Sequence, residues 1–163
     1  MTELVIRRCE RSDLRSLEWS PHLRRDRPLI EHVYEQTGRG TAAMLVATLG
    51  RDFVGQVWVD FARKPGVAIL WCLRVRHGFQ GRGIGTQLVL AGEREARRAA
   101  ARETELAVEP DNPRARALYV RLGYQRVGSE PAVDPLTGAA LGFELEVLRW
   151  PLARRDGIVA RPW

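Results

Sequence analysis

The stretch from Trp71 to Thr86 limits the fold more than any other part of the chain. Apolar residues run up to Val75, glycines stand at 81, 83 and 85, and a helical pattern begins beyond Thr86 and continues to about Arg102. The order is a strand, a glycine-rich turn and the first turn of a helix. A helix N-terminus presents backbone N–H groups without partners in the helix, and the positive end of the helix dipole. Glycines let a ligand approach that backbone, because no Cβ stands in the way. The combination implies an anion site at the turn.

Three kinds of phosphate-binding turn deserve comparison. A Walker loop ends in Gly-Lys-Ser/Thr, but Gly85 runs directly into Thr86 and the only lysine is Lys64. A Rossmann fingerprint sets its third glycine three residues after the second and needs an acid near the end of the next strand. Here the last two glycines are two apart and the turn lies mid-chain. The third arrangement is Gln-x-x-Gly-x-Gly, supplied by Gln80, Gly83 and Gly85 after the alternating Leu73 and Val75. Alone, such a triplet also suits an ordinary tight turn. The pattern resembles the pyrophosphate loop of the GNAT superfamily of N-acetyltransferases, which bind acyl-CoA.

A second stretch, Asn112 to Tyr124, carries the same resemblance. Asn112 is a good N-cap and Pro113 suits the first helical position. Ala115, Leu118, Tyr119 and Leu122 fall on one helical face, and Gly123 ends the helix with Tyr124 as its apolar partner. Asn-x-x-Ala-x-x-Leu-Tyr-x-x-x-Gly-Tyr is similar to the GNAT segment beyond the loop helix, and the two motifs come in the family's order and spacing. The likeness covers about Thr41 to Gly128 well and the ends loosely. It implies an α/β fold with a mixed central sheet of about seven strands flanked by about four helices.

The rest of the chain reads in the same terms. Leu4 to Cys9 is a strand, and Ser12-Asp13-Leu14 offers a helix cap with Leu14 and Leu17 buried. Arg27 to Gln36 is a short helix with Leu29, Ile30 and Val33 on one side. Ala42 to Leu49, Phe53 to Phe61 and Val67 to Val75 follow as strands, the last covered on both faces. In the helix after the glycines, Gly85, Leu88, Val89, Gly92, Ala96, Ala99 and Ala100 share the buried face. Glu93, Arg94, Arg97 and Arg98 are expected to face water, with Glu93 and Arg97 as an i,i+4 pair. Thr104 to Val108, Tyr124 to Ser129 and Phe143 to Trp150 are strands, with Pro131 to Gly138 as a hairpin loop. Residues 1–150 form the domain, and 151–163 a tail that Trp163 could order in part.

Composition narrows the functional classes. The 163 residues suit one domain, and 45% hydrophobic with 28% charged is ordinary for a soluble globular chain. No apolar run reaches a membrane span and no signal segment opens the chain, so a cytoplasmic location is the default and no membrane partner is expected. Cys9 and Cys72 are too few for a disulfide framework and suit small buried strand positions. The net charge of +6 invites a nucleic-acid reading, but the arginines are scattered through every segment, so nucleic acid is disfavoured. A basic surface also attracts a polyanionic cofactor. His22, His32 and His77 have no metal-ligand spacing.

Acyl transfer needs a held cofactor, a polarised thioester, a base for the amine and an acid for the thiolate. The resemblance implies acetyl-CoA as cofactor and a small-molecule amine or peptide as acceptor, with a homodimer common in the family. It implies that Leu73 and Val75 pair with the pantetheine arm through backbone groups. It also implies that the N–H groups of Gly81, Arg82, Gly83, Ile84, Gly85 and Thr86 hold the pyrophosphate, with Gln80 opening the loop. Tyr119 stands where the family often places a general acid, with core packing as its other reading. Asn112 either contacts the cofactor or only caps its helix. As general base, many family members place a glutamate in the strand before the loop or in the strand before Asn112, where this chain has Ile69, Leu70, Trp71 and Cys72 in the first and Ala107 in the second. Asp60 is the candidate base, followed by Glu35 and Glu109, each also readable as a surface carboxylate. Trp58, Trp71 and Phe61 suit an acceptor pocket or the core. The alternative function is an acyl-CoA sensor or interaction module of the same fold.

Overall fold

The computed structural model describes residues 2–19 and 26–153. Seven segments extend as strands: β1 Leu4–Arg8, β2 Ala42–Leu49, β3 Asp52–Lys64, β4 Val67–Val75, β5 Glu103–Val108, β6 Gln125–Val133 and β7 Ala140–Pro151. They join in one sheet in the order β1-β2-β3-β4-β5-β7-β6. Only β4 and β5 run parallel; every other neighbouring pair is antiparallel. Three α-helices accompany the sheet, α1 Arg27–Gly38, α2 Ile84–Arg98 and α3 Pro113–Arg121, with a 3₁₀ helix over Arg11–Leu17. The mixed α/β architecture is the expected one.

Strand alternation sends apolar residues to both faces, so each face needs a cover. On one side α1 and the 3₁₀ helix bury Leu17, Leu29, Ile30 and Val33 against Met44, Val46 and Trp58. On the other side α2 and α3 cover a larger cluster that includes Leu45, Val57, Leu70, Leu88, Leu106 and Leu148. Small residues let α2 approach: a Cβ on Gly92 would stand 2.7 Å from Leu70 Cδ2.

The water-facing side of α2 differs from expectation. Arg94 and Arg98 are exposed, but Glu93 is fully buried. The Tyr124 hydroxyl donates to Glu93 Oε1 at 3.0 Å and lies 2.7 Å from Thr104 Oγ1. A buried phenol needs polar partners, and the carboxylate supplies one. The helix also stops at Arg98 rather than Arg102. Ala100 takes φ 59° to swing the chain into β5, which leaves Ala99 and Ala100 exposed instead of buried.

Other boundaries move for local reasons. The first helix is a 3₁₀ turn that begins at Arg11, before the expected cap. Asp13 is itself buried, accepting from Glu10 N–H at 2.7 Å and from Arg7 Nη1 at 2.6 Å. Leu17 is buried and Leu14 half-buried. β3 runs three residues past Phe61, to Lys64. β6 continues through Pro131 to Val133, and β7 starts at Ala140. A proline is tolerated there because β6 is an edge strand. Leu152 is buried and its N–H donates to Arg102 O at 3.0 Å, so the fold reaches past Trp150. Trp163 and His22 lie outside the described residues.

Candidate active site

The sheet opens between its two parallel strands. β4 and β5 pair from Val67–Glu103 to Leu70–Leu106 and no further. Beyond that rung β5 follows β7 to Val108–Glu146, while β4 follows β3 to Gly55–Val75. Residues 71–75 of β4 therefore border a wedge, and their burial falls from complete to half. Arg76 N–H donates to Val54 O at 2.8 Å, across β3. Because strand backbone groups alternate, the N–H and C=O of Val75 and Leu73 point the other way, into the wedge. An extended ligand arm could pair with them as a missing strand would.

A β-bulge shapes the wall of the wedge. Gln56 faces Arg74 and Trp58 faces Trp71, so two steps on β3 oppose three on β4. The extra residue is Cys72, held at φ 52°, an uncommon conformation for a side chain with a Cβ. Its effect is a change of face. Trp71 and Cys72 lie against the α1-side cluster, whereas Leu73 and Val75 lie against the α2-side cluster. Buried Gln56 supports the bulge: its Nε2 donates to Cys72 Sγ at 3.8 Å, and its Oε1 accepts from Trp58 Nε1 at 3.2 Å. Trp58 and Trp71 meet edge to face at 5.0 Å. Burial pushes the Cys72 thiol up to about 11, against the pull of the nearby Arg74, so it stays a neutral thiol.

The glycine turn closes the mouth of the wedge. Gly81 and Gly83 have φ 75° and 77°, which glycine adopts without strain. Gly83 is the N-cap of α2 and no side chain caps that helix. The first-turn N–H groups thus remain open to an external acceptor. A Cβ on Gly83 would meet nothing within 4 Å, so the space above the turn is free. Gly85 is different: its Cβ would stand 3.2 Å from Leu118 Cδ2, so this glycine sets how closely α2 and α3 approach. Gln80 ties the loop down, donating to Val75 O at 3.1 Å and accepting from Arg114 Nη1 at 2.9 Å. The Arg82 guanidinium stacks over Phe79, Ile84 is buried, and Thr86 is half-buried.

The model of the acetyltransferase (GNAT) family matches residues 10–124, from before the 3₁₀ helix through the end of the Asn112 helix. The chain belongs to the GNAT acetyltransferase family. Mycothiol acetyltransferase of Corynebacterium glutamicum (strain R) is 35% identical over 75 residues, 46% of this chain. The matched stretch is 25% of that relative, so the chain spans only part of its length. Two solved structures share the fold over nearly their whole length. YncA of Salmonella typhimurium, solved with its cofactor acetyl-CoA, is 20% identical with a TM-score of 0.73, covering 98% of this chain and 97% of its own. A spermidine N-acetyltransferase SpeG chimera from Vibrio cholerae and hSSAT is 17% identical with a TM-score of 0.74, covering 96% and 100%. The residues here suit acetyl-CoA, the family's cofactor: backbone groups of Leu73 and Val75 turned toward the opened seam, with the Val75 carbonyl held by Gln80, and an uncapped glycine turn with open space above it.

The other predicted residues of this GNAT chain fall into two groups. Tyr119 is buried on α3, with its ring 6.3 Å from that of Tyr124. Burial pushes its phenol up to about 12, so it is a proton donor and not a base near neutrality. Asn112 Oδ1 accepts from Ala115 N–H at 3.2 Å, the capping bond read from sequence. Asp60 shares the α1-side face with Trp58, opposite Ile69 and below the wedge. Its Oδ1 accepts from the N–H groups of Ala62 and Arg63 at 2.8 and 3.0 Å. Glu35 and Glu109 are exposed. Phe61 is half-buried against the α2-side core. Among the described residues no group of three metal-ligating side chains forms, and no helix is long and apolar enough to cross a membrane.

Beside the wedge lies a cavity of about 530 Å³, lined by Trp19, Leu73, Arg74, Val75, Arg76, His77 and Gln80. Three of these, Trp19, Arg74 and Arg76, were not singled out from sequence, and His77 was read only as lacking metal-ligand spacing. The signal was present at the end of β4 and just beyond it, where Arg74 and Arg76 interleave with Leu73 and Val75. That is a polar stripe on a strand otherwise read as buried on both sides.

Proposed function

We propose that the protein transfers an acetyl group from acetyl-CoA to the amine of a small molecule or a peptide. The observation that carries this is the uncapped N-terminus of α2, which follows a strand that loses its parallel neighbour beyond Leu70. The cofactor supplies an acetyl group activated as a thioester. Leu73 and Val75 would align its arm through backbone groups, the Val75 N–H among them, while the Val75 carbonyl accepts from Gln80. The N–H groups from Gly81 to Thr86 would bind its diphosphate, aided by the α2 dipole. Tyr119 would deliver a proton to the departing sulfur from a phenol kept protonated by burial. Asp60, on the α1-side face, is the residue we assign to the amine proton, acting through Oδ2 because Oδ1 is held by two backbone N–H groups. Asn112 would serve the cofactor only by ordering the start of α3.

The test is release of free CoA thiol from acetyl-CoA across a panel of amines and peptides. Turnover with at least one class supports the reading. Tight CoA binding without turnover across the panel would contradict it and favour a sensor of the same fold.

A further inference from the structure

We propose that the acceptor amine also carries an anionic group, a carboxylate or a phosphate, which Arg74 and Arg76 neutralise. The inference rests on the acetyl-transfer reading above. Side chains alternate along β4 after the bulge. Leu73 and Val75 face the α2-side core, so Arg74 and Arg76 project to the α1 side, the opposite face of the sheet from α2. There they line the cavity with Trp19 and His77, next to the Leu73, Val75 and Gln80 that would meet the coenzyme. Among the described residues, no acidic side chain lines it.

Most arginines with an assigned contact in this chain sit against a carboxylate. Arg7 meets Asp13, Arg27 meets Glu18, Arg116 meets Glu146, and Arg149 meets Glu105. Arg74 and Arg76 form no ion pair with any of the described residues. Arg74 is half-buried, and its guanidinium lies near the buried Cys72 thiol, a weak partner for a full charge. Asp26, at the start of α1, is close enough for Cys72 to feel its charge but does not line the cavity. A partly desolvated guanidinium without a counter-charge is costly, and a ligand anion offsets that cost through charge-assisted hydrogen bonds. The same charge repels polyamines and lysine-rich tails. The indole of Trp19 adds an apolar wall, which suits an acceptor with a modest hydrophobic body.

Two matched pairs test this on protein saturated with CoA, by calorimetry. One pair is N-acetylphenylalanine and its amide; the other is phosphoethanolamine and ethanolamine. The charged member of at least one pair should bind about tenfold more tightly. Arg74→Gln/Arg76→Gln should abolish the difference, while Arg74→Lys keeps most of it and shows that the fold tolerates the site. CoA affinity should stay unchanged in all three proteins. Equal or undetectable binding of charged and neutral probes overturns the proposal, as does discrimination that survives in the double variant. A parallel fall in CoA affinity would assign the arginines to the cofactor's phosphates and also overturns it. Failure of wild type to bind CoA would sink the acetyl-transfer reading itself. Acetylation indifferent to acceptor charge would sink only this one.

Discussion

At the level of single side chains, the chemistry rests on groups whose protonation the fold fixes. Tyr119 is lifted to about 12 by burial, so its proton is available as a donor throughout the neutral range. Tyr119→Phe should lower kcat by roughly 10²-fold or more, the size of a lost general acid, with the Kd for CoA unchanged. Asp60→Asn should lower kcat in the same way. Steady-state kinetics beside calorimetry separates these outcomes, and an unaltered kcat removes the role from the residue concerned. Asp13 gives a pH prediction. The Arg7 hydrogen bond, opposed by burial, holds its carboxyl below the ordinary 3.8. A carboxylate with a depressed folded-state pKa stabilises the protein above its unfolded value, and that contribution disappears as pH falls through the folded one. Asp13→Asn should cost about 1–2 kcal/mol at pH 6. Most of that gap in thermal stability should close as pH falls below about 4. A gap of equal size at pH 3 would contradict it.

At the level of elements, the strand-turn-helix unit and the Asn112 helix were legible because their signals are local. A glycine turn, an asparagine cap, a proline at the first helical position and a glycine C-cap act within a few residues of themselves. What was hidden depends on contacts across the fold. Alternation cannot reveal one extra residue in β4, so the bulge at Cys72, which puts Trp71 and Leu73 on opposite faces, has no sequence signature. Glu93 looked like a solvated charge because its partner, the Tyr124 hydroxyl, arrives from the end of the next helix. The two conspicuous loop glycines also separate into different duties. Gly83→Val forces a β-branched residue to φ 77° above the phosphate space, so it should weaken CoA binding about tenfold or more while the apo protein still folds. Gly85→Val instead presses on Leu118 and should lower apo-protein stability, about 1–3 kcal/mol for overpacking. Denaturant melts of both apo variants beside CoA titrations check the contrast. If both act identically, the division is wrong.

At the level of the whole molecule, the arrangement is a sheet that cannot stay closed. β4 keeps pairing with β3, β5 keeps pairing with β7, and the parallel seam between them ends at Leu70–Leu106. α2 then aims its uncapped N-terminus at the mouth of the opening, on a chain with net charge +6 that draws in polyanions. The central claim is that backbone amides along this opening hold the coenzyme, the strand gripping its arm and the turn its diphosphate. Amide resonances of the labelled protein, followed during titration with CoA and separately with pantetheine, test it most directly. The account predicts that CoA moves Leu73, Val75 and residues 81–86 together, and that pantetheine moves Leu73 and Val75 while leaving 81–86 in place. If saturating CoA leaves the resonances of 81–86 unmoved, the turn does not hold the diphosphate and the account fails.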